Sequence, residues 1–267
     1  MIKLLAIDLD GTALDHQRKL VPSVIPAVQR ANEAGIQVIL ASGRILPSMK
    51  TFLDPLGLKG PVICSNGALL YGSDFELSHH WPVDKEAVRR LIEFAEHDQI
   101  HVNLYSLAQL YNFAESDWGR VYQQRVHSVP VQMIERSAAN QLAVSKAMLV
   151  AEGSLIDAIQ EKLADVLAGL PVRLTRSEPE YLECLNVEAS KGHALETLAT
   201  QLGLVREEVA AIGDYWNDIE MLQFAGTSAA VGNAAEETKR AAQFVVSSNE
   251  QGGVAEFVDS ILRNRGQ

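Results

Sequence analysis

The chain has 267 residues, 47% hydrophobic and 21% charged, which excludes a disordered, collagen-like or coiled-coil protein and allows one large domain or two smaller ones. Acidic residues outnumber basic ones by 34 to 23, a net charge of −11, and Lys and Arg form no run longer than two; such a surface repels phosphate backbones, so no nucleic-acid partner is expected. The longest apolar run, Ala147 to Ala151, is far shorter than the ~20 residues of a bilayer span, so no membrane partner is expected either.

In chain order, Leu4 to Ile7 reads as a buried strand, Val21 to Ala34 as a helix with Val24, Val28 and Ala31 on one face and Gly35 as its cap, and Ile36 to Ala41 as a second strand. A third strand, Pro61 to Cys64, runs into Ser65-Asn66-Gly67. This is the rhythm of a parallel sheet. Residues 82 to 187 read differently. Helix patterns at Asp84 to His97 and Ser154 to Leu167 alternate with strand-like stretches at Lys146 to Ala151, Val172 to Thr175 and Tyr181 to Val187. The first rhythm then returns, with helices at Lys191 to Leu202, Asp218 to Phe224 and Val254 to Leu262 and strands at Val209 to Ile212, Ala229 to Val231 and Phe244 to Val246. The expected fold class is α/β: a doubly wound, Rossmann-like parallel-sheet core in 1–81 and 188–267, interrupted by an α/β domain in 82–187. Connecting segments are expected at Ser78 to Pro82 and Asn186 to Ser190.

Met1 to Asp8 places a carboxylate after four apolar residues, too early for a secretory signal, so cytoplasmic residence is expected. Cys64 and Cys184 stand 120 positions apart without a CxxC and read as small buried hydrophobes. Tyr105, Tyr111, Trp118 and Tyr181 read as core of the inserted segment, and His79, His80 and Trp81 as linker or packing residues.

Four predicted strands end in a polar residue, at Asp8, Ser42, Ser65 and Asp214, and in an open α/β sheet ligands bind at that edge. In Asp8-Leu9-Asp10-Gly11-Thr12, carboxylates two apart on an extended segment face one reacting centre, and their repulsion is relieved by a cation or a proton. Gly11 permits a tight turn and Thr12 adds a hydroxyl. In Gly213-Asp214-Tyr215-Trp216-Asn217-Asp218, Asp214 and Asp218 could join Asp8 around Mg²⁺, while Asn217 or Asp218 could equally cap the following helix. Ser190 reads as a cap with Lys191 in the first turn, an anion-binding arrangement that a solvated surface lysine would also explain.

Together these segments resemble the haloacid dehalogenase superfamily of phosphatases, specifically its Cof-type members with a large α/β cap. Asp8 to Thr12 is similar to motif I, Ala41-Ser42-Gly43-Arg44 to motif II, Lys191 to motif III and Gly213 to Asp218 to motif IV, in the family's order and with the insertion at the family's cap position. The resemblance implies a phosphatase of small phosphorylated metabolites, with Asp8 as nucleophile and Asp10 as acid and base. It implies Mg²⁺ held by Asp8, the Asp10 carbonyl and Asp214 with support from Asp218, and phosphoryl oxygens bound by Ser42, Lys191, Asn217 and the Leu9 amide. Thr12, Arg44 and Asn66 are implied as supporting or substrate-side residues. Tyr215 departs from the family's usual small or amide residue, which bears on substrate contacts. A phosphomutase and a non-catalytic phosphometabolite-binding protein are the competing readings.

Overall fold

Leu4, Leu5, Ala6 and Ile7 are apolar at every position, as a strand covered on both faces must be; they form β1 (Leu4–Asp8), all of it buried. The computed structural model describes residues 1–126 and 129–264, so the expected spans 82–187 and 188–267 each include a few residues outside the described ones. The chain divides into two compact units, one comprising Met1–Gly43, Met49–His79 and Ser190–Gln267, the other Arg44–Ser48 and His80–Ala189.

In the first unit β1 leads through α1 (Val24–Glu33) to β2 (Gln37–Ala41), and after α2 (Leu46–Leu53), whose residues 46–48 fall in the second unit, come β3 (Val62–Cys64), β4 (Leu69–Tyr71) and β5 (Leu77–His80), whose His80 does too. Helix α1 begins at Val24, later than the expected Val21. Leu20 is taken by an antiparallel bridge to Leu14 and the Val21 amide donates to the Ala13 carbonyl, so the chain is still extended there. Strands β4 and β5 were not foreseen: each is short and lies outside the βαβ rhythm. Ser78, expected in a connecting segment, lies within β5.

The second unit contains α3 (Lys85–His97), β6 (His101–Ser106), β7 (Gln109–Asn112), α4 (Asp117–Val126), β8 (Val131–Met133), β9 (Lys146–Val150), α5 (Gly153–Val166), β10 (Val172–Thr175) and β11 (Tyr181–Asn186). Its sheet has the order β10-β11-β9-β6-β7-β8, antiparallel except for β7 beside β8. Helices α3 and α5 place Leu91, Ile92, Ile156, Ile159 and Leu163 in a core with Leu104, Ala147, Leu149 and Leu182 of the sheet. Tyr105, Tyr122 and Tyr181 form a separate buried cluster with Trp118 packed against it, and Tyr111 packs on the main core. Tyr105 and Tyr181 are core residues, as expected, while Tyr111 and Trp118 are half-buried against the clusters.

The chain then returns to the first unit with α6 (Lys191–Gln201), β12 (Val209–Gly213), α7 (Ile219–Phe224), β13 (Thr227–Ala230), α8 (Glu236–Ala241), β14 (Phe244–Val245) and α9 (Gly253–Asn264). The eight-stranded sheet runs β14-β13-β12-β1-β2-β3-β4-β5, parallel from β14 to β3, with β4 antiparallel to β3. From β1 the chain builds outward through β2 and β3, and later outward in the opposite direction through β12, β13 and β14. Right-handed crossovers therefore put the two sets of helices on opposite faces, and the order reverses between β1 and β12. The carboxyl ends of those two strands are where such a sheet opens a crevice.

Candidate functional site

Asp8 closes β1, and its side chain is only 5% exposed. The strand ends there: Asp8 (φ −70°, ψ 157°) and Asp10 (φ −73°, ψ 119°) are each extended, and Leu9–Ala13 closes into a turn through the Leu14 amide, which donates to the Leu9 carbonyl at 2.9 Å, with Gly11 at φ +80°. Asp8 is sealed, while the Asp10 side chain stays 31% exposed with its Oδ1 3.5 Å from Arg18 Nη1. The conformation needs Gly11 for space as well as for its φ: a Cβ there would stand 2.2 Å from Oδ2 of Asp214. Thr12, fully buried, donates its hydroxyl to Asp214 Oδ1 over 3.2 Å.

Ser190 caps α6 by accepting from the His193 amide at 3.0 Å, which places Lys191 in the first helical turn. That lysine is not a solvated surface residue. Its side chain is fully buried, and Nζ lies 2.6 Å from Asp8 Oδ1 and 2.6 Å from Asp218 Oδ1. Gly192 makes this approach feasible, since a Cβ there would come within 2.6 Å of the Glu220 backbone in α7.

Asp218 ends a 3-10 turn, Trp216–Asp218, and does not cap α7 with its side chain, so the cap reading is corrected. Its carboxylate turns back instead, Oδ2 accepting from the Asp214 amide at 2.9 Å and the Tyr215 amide at 3.2 Å. Satisfying those two amides and Lys191 holds the loop, and both Asp218 oxygens are engaged. Asn217 donates from Nδ2 to Asn66 Oδ1 at 2.9 Å.

The carboxylates of Asp8, Asp214 and Asp218 converge so that one oxygen of each lies within 4.8 Å of the others. Burial first, and then the Asp218 charge, push the Asp8 carboxyl up to about 7, against the pull of Lys191. Burial and the charges of Asp8 and Asp218 likewise hold Asp214 well above the usual carboxylate range. Burial works against the Lys191 charge, yet Asp218 and Asp8 hold its ammonium above the usual lysine value. Fully ionised, the three carboxylates would exceed the one ammonium by two negative charges, which with burial is what holds the Asp8 and Asp214 carboxyls above their usual range. Asp8 Oδ2 is buried with no hydrogen-bond partner. An orphaned carboxylate oxygen, a second carboxylate beside it and an excess charge of two suit a small divalent cation that prefers oxygen ligands. Asp8, Asp214 and Asp218 are the residues that could hold such an ion.

Ser42 follows β2 at the same edge, nearly fully buried, its amide donating to the Ile63 carbonyl and its carbonyl accepting from the Asn66 amide, both at 3.0 Å. Arg44 donates from Nη1 to Ser48 Oγ at 3.1 Å. Asn66 adopts φ +56° and is buried; its side chain serves as the acceptor for Asn217. Two contributors escaped the sequence reading. Asn233 donates to the Gly11 carbonyl at 2.8 Å, and Arg18 reaches Asp10. Neither lies in a motif, and only the fold brings them near.

A family model described as haloacid dehalogenase-like hydrolase matches residues 5–258. The chain is 32% identical to pyridoxal phosphate phosphatase YbhA of Escherichia coli, over 97% of this chain and 98% of that one. It is 28% identical to 5-amino-6-(5-phospho-D-ribitylamino)uracil phosphatase YwtE of Bacillus subtilis, over 98% of each chain. A haloacid dehalogenase-like hydrolase from Bacteroides thetaiotaomicron has a similar solved structure, with a TM-score of 0.86 and 28% identity over 98% of this chain and all of that one. With its carboxylates gathered at the reversal point of the sheet and a family match spanning nearly its whole length, the chain belongs to the haloacid dehalogenase-like hydrolases.

Proposed function

We propose that the protein is a Mg²⁺-dependent phosphatase of small phosphorylated metabolites that works through an aspartyl-phosphate on Asp8. The observation that carries this reading is the Asp8 carboxylate, sealed from water, held at Oδ1 by Lys191 and left without a hydrogen-bond partner at Oδ2. Relatives named for pyridoxal phosphate and for a ribitylaminouracil phosphate support a small phosphomonoester as substrate.

In this mechanism an Asp8 oxygen attacks phosphorus, and the bond to the leaving oxygen breaks as Asp10 gives that oxygen its proton. Asp10 then takes a proton from the water that attacks the acyl phosphate, which returns Asp8 and releases inorganic phosphate. Lys191 balances the charge of Asp8 and, with Ser42, Asn217 and the Leu9 amide, binds the transferring oxygens. Thr12 and Asp218 fix Asp214 and Lys191, and Asn66 orients Asn217. Mg²⁺, held by Asp8, the Asp10 carbonyl and Asp214, would supply charge neutralisation at the phosphoryl group. Residues 1–81 and 188–267 carry this chemistry, and the inserted 82–187 serves as the cap domain that selects the metabolite. Two free buried cysteines agree with a reducing, cytoplasmic setting.

A phosphate-release screen over many metabolites with Mg²⁺ tests the proposal. The expected result is turnover of small phosphomonoesters that falls at least ~10³-fold in Asp8→Asn; full activity in that variant overturns the mechanism. Isomerisation of a sugar phosphate without phosphate release would point to a mutase instead.

A further inference from the structure

The segment between the Leu9–Ala13 turn and α1 is a small hairpin anchored on several sides. Leu14 and Leu20 bridge antiparallel, and the Val21 amide returns to the Ala13 carbonyl at 3.0 Å. Asp15 builds the tip, its Oδ1 accepting from the Gln17 amide at 2.8 Å and the Lys19 amide at 2.9 Å. From outside, Glu250 Oε1 accepts from the His16 amide at 3.2 Å, and Asn249 donates to the Leu14 carbonyl at 2.7 Å. Arg18 sits in this tip at φ +60°, a conformation that costs a side-chain-bearing residue energy and persists only where the surroundings impose it. From there its guanidinium reaches back to Asp10, Nη1 to Oδ1 at 3.5 Å, both side chains 31% exposed.

An ion pair this exposed contributes little to stability. Its consequence is orientational: Asp10 lies in the turn that ends β1 with its side chain 31% exposed, and general acid catalysis requires a carboxyl within hydrogen-bond reach of the leaving oxygen. We propose that Arg18 is a positioning residue for Asp10, the hairpin serving as a rigid arm that holds a cation against the acid/base carboxyl. This rests on the phosphatase reading above.

Leaving-group dependence separates this role from a merely structural one. A leaving group that departs readily as an anion needs little proton donation, whereas an alkoxide needs it fully. kcat/KM reports the steps through phosphoryl transfer to Asp8, so it should be measured for wild type, Arg18→Met and Arg18→Lys on 4-nitrophenyl phosphate, on phenyl phosphates of rising leaving-group pKa and on alkyl monophosphates. Arg18→Met should lose on the order of 30-fold on alkyl phosphates and less than about 3-fold on 4-nitrophenyl phosphate, steepening the dependence on leaving-group pKa. Arg18→Lys should recover most of the loss, and all three proteins should melt together. A uniform loss across the series, or none, overturns the role of Arg18 while leaving the phosphatase reading intact. A wild type that releases phosphate from none of these esters overturns both.

Discussion

Lys191 reads in the sequence as an ordinary lysine in a first helical turn, and the fold makes it the ammonium between Asp8 and Asp218. Its aliphatic stem and charge are fully buried, so removing the charge leaves two carboxylates facing each other in a poorly solvated space. Lys191→Met should therefore cost about 3–5 kcal/mol in denaturant unfolding and abolish turnover; a variant that melts like wild type would contradict the geometry. Asp8 sets a pH dependence of definite sign. Its folded value lies near 7 against 3.8 for the free carboxyl, so the unfolded chain loses this proton first. The stability Asp8 contributes is full below about 4 and is lost as pH rises towards 7. Asp214, shifted in the same direction, adds to the trend. The metal-free protein should lose thermal stability from about pH 4 to about pH 7, while the gain on adding Mg²⁺ widens over the same window because the ion takes the ionised carboxylates. Differential scanning calorimetry with and without Mg²⁺ reads both, and a metal-induced gain that shrinks with pH would rule out Asp8 as a ligand.

At the scale of elements, the site is a meeting of strand ends and helix starts. The cap of α6 was legible, since Ser190 ahead of an apolar-periodic run is the pattern a helix start requires, and Ser190 accepts from the His193 amide. Ser190→Ala should cost about 1 kcal/mol, lowering the melting midpoint by about 2–4 °C, with a larger fractional loss of activity because Lys191 follows it directly. Gly192→Ala is expected to be worse. Its new Cβ would press on the Glu220 backbone, which cannot yield as a side-chain tip can, and α6 would be pushed off α7. Activity and stability should fall together, and a neutral Gly192→Ala would mean that α6 and α7 have room to spare. Strands β1, β2 and β12 were readable because strands buried on both faces are apolar without interruption. Strands β4, β5, β7 and β8 were not. They are only three or four residues long, too short to show a period, even though β4 and β7 each pair with the strand just before them in the chain.

At the scale of the whole molecule, the larger buried cluster of the second unit draws its residues from Val83 to Cys184, within 80–189, and the smaller one adds only Ile45 from outside that span. A fragment of those residues should melt cooperatively on its own, with native-like circular dichroism; a fragment without a thermal transition would show that the unit depends on the rest of the chain. By itself the sequence determined the α/β class, the acidic character, the alternation of patterns along the chain and the motif residues Asp8, Asp10, Lys191, Asp214 and Asp218. These follow from local periodicity and from residue types that chemistry needs at strand ends. Only the tertiary structure decided that Lys191 is buried between Asp8 and Asp218 and that Asn66 serves Asn217. The reason is distance along the chain. Lys191 and Asp8 are 183 residues apart and Asn217 and Asn66 are 151. The charge, burial and hydrogen bonding of such groups exist only once the order of strands β12, β1 and β2 has brought their ends to one edge.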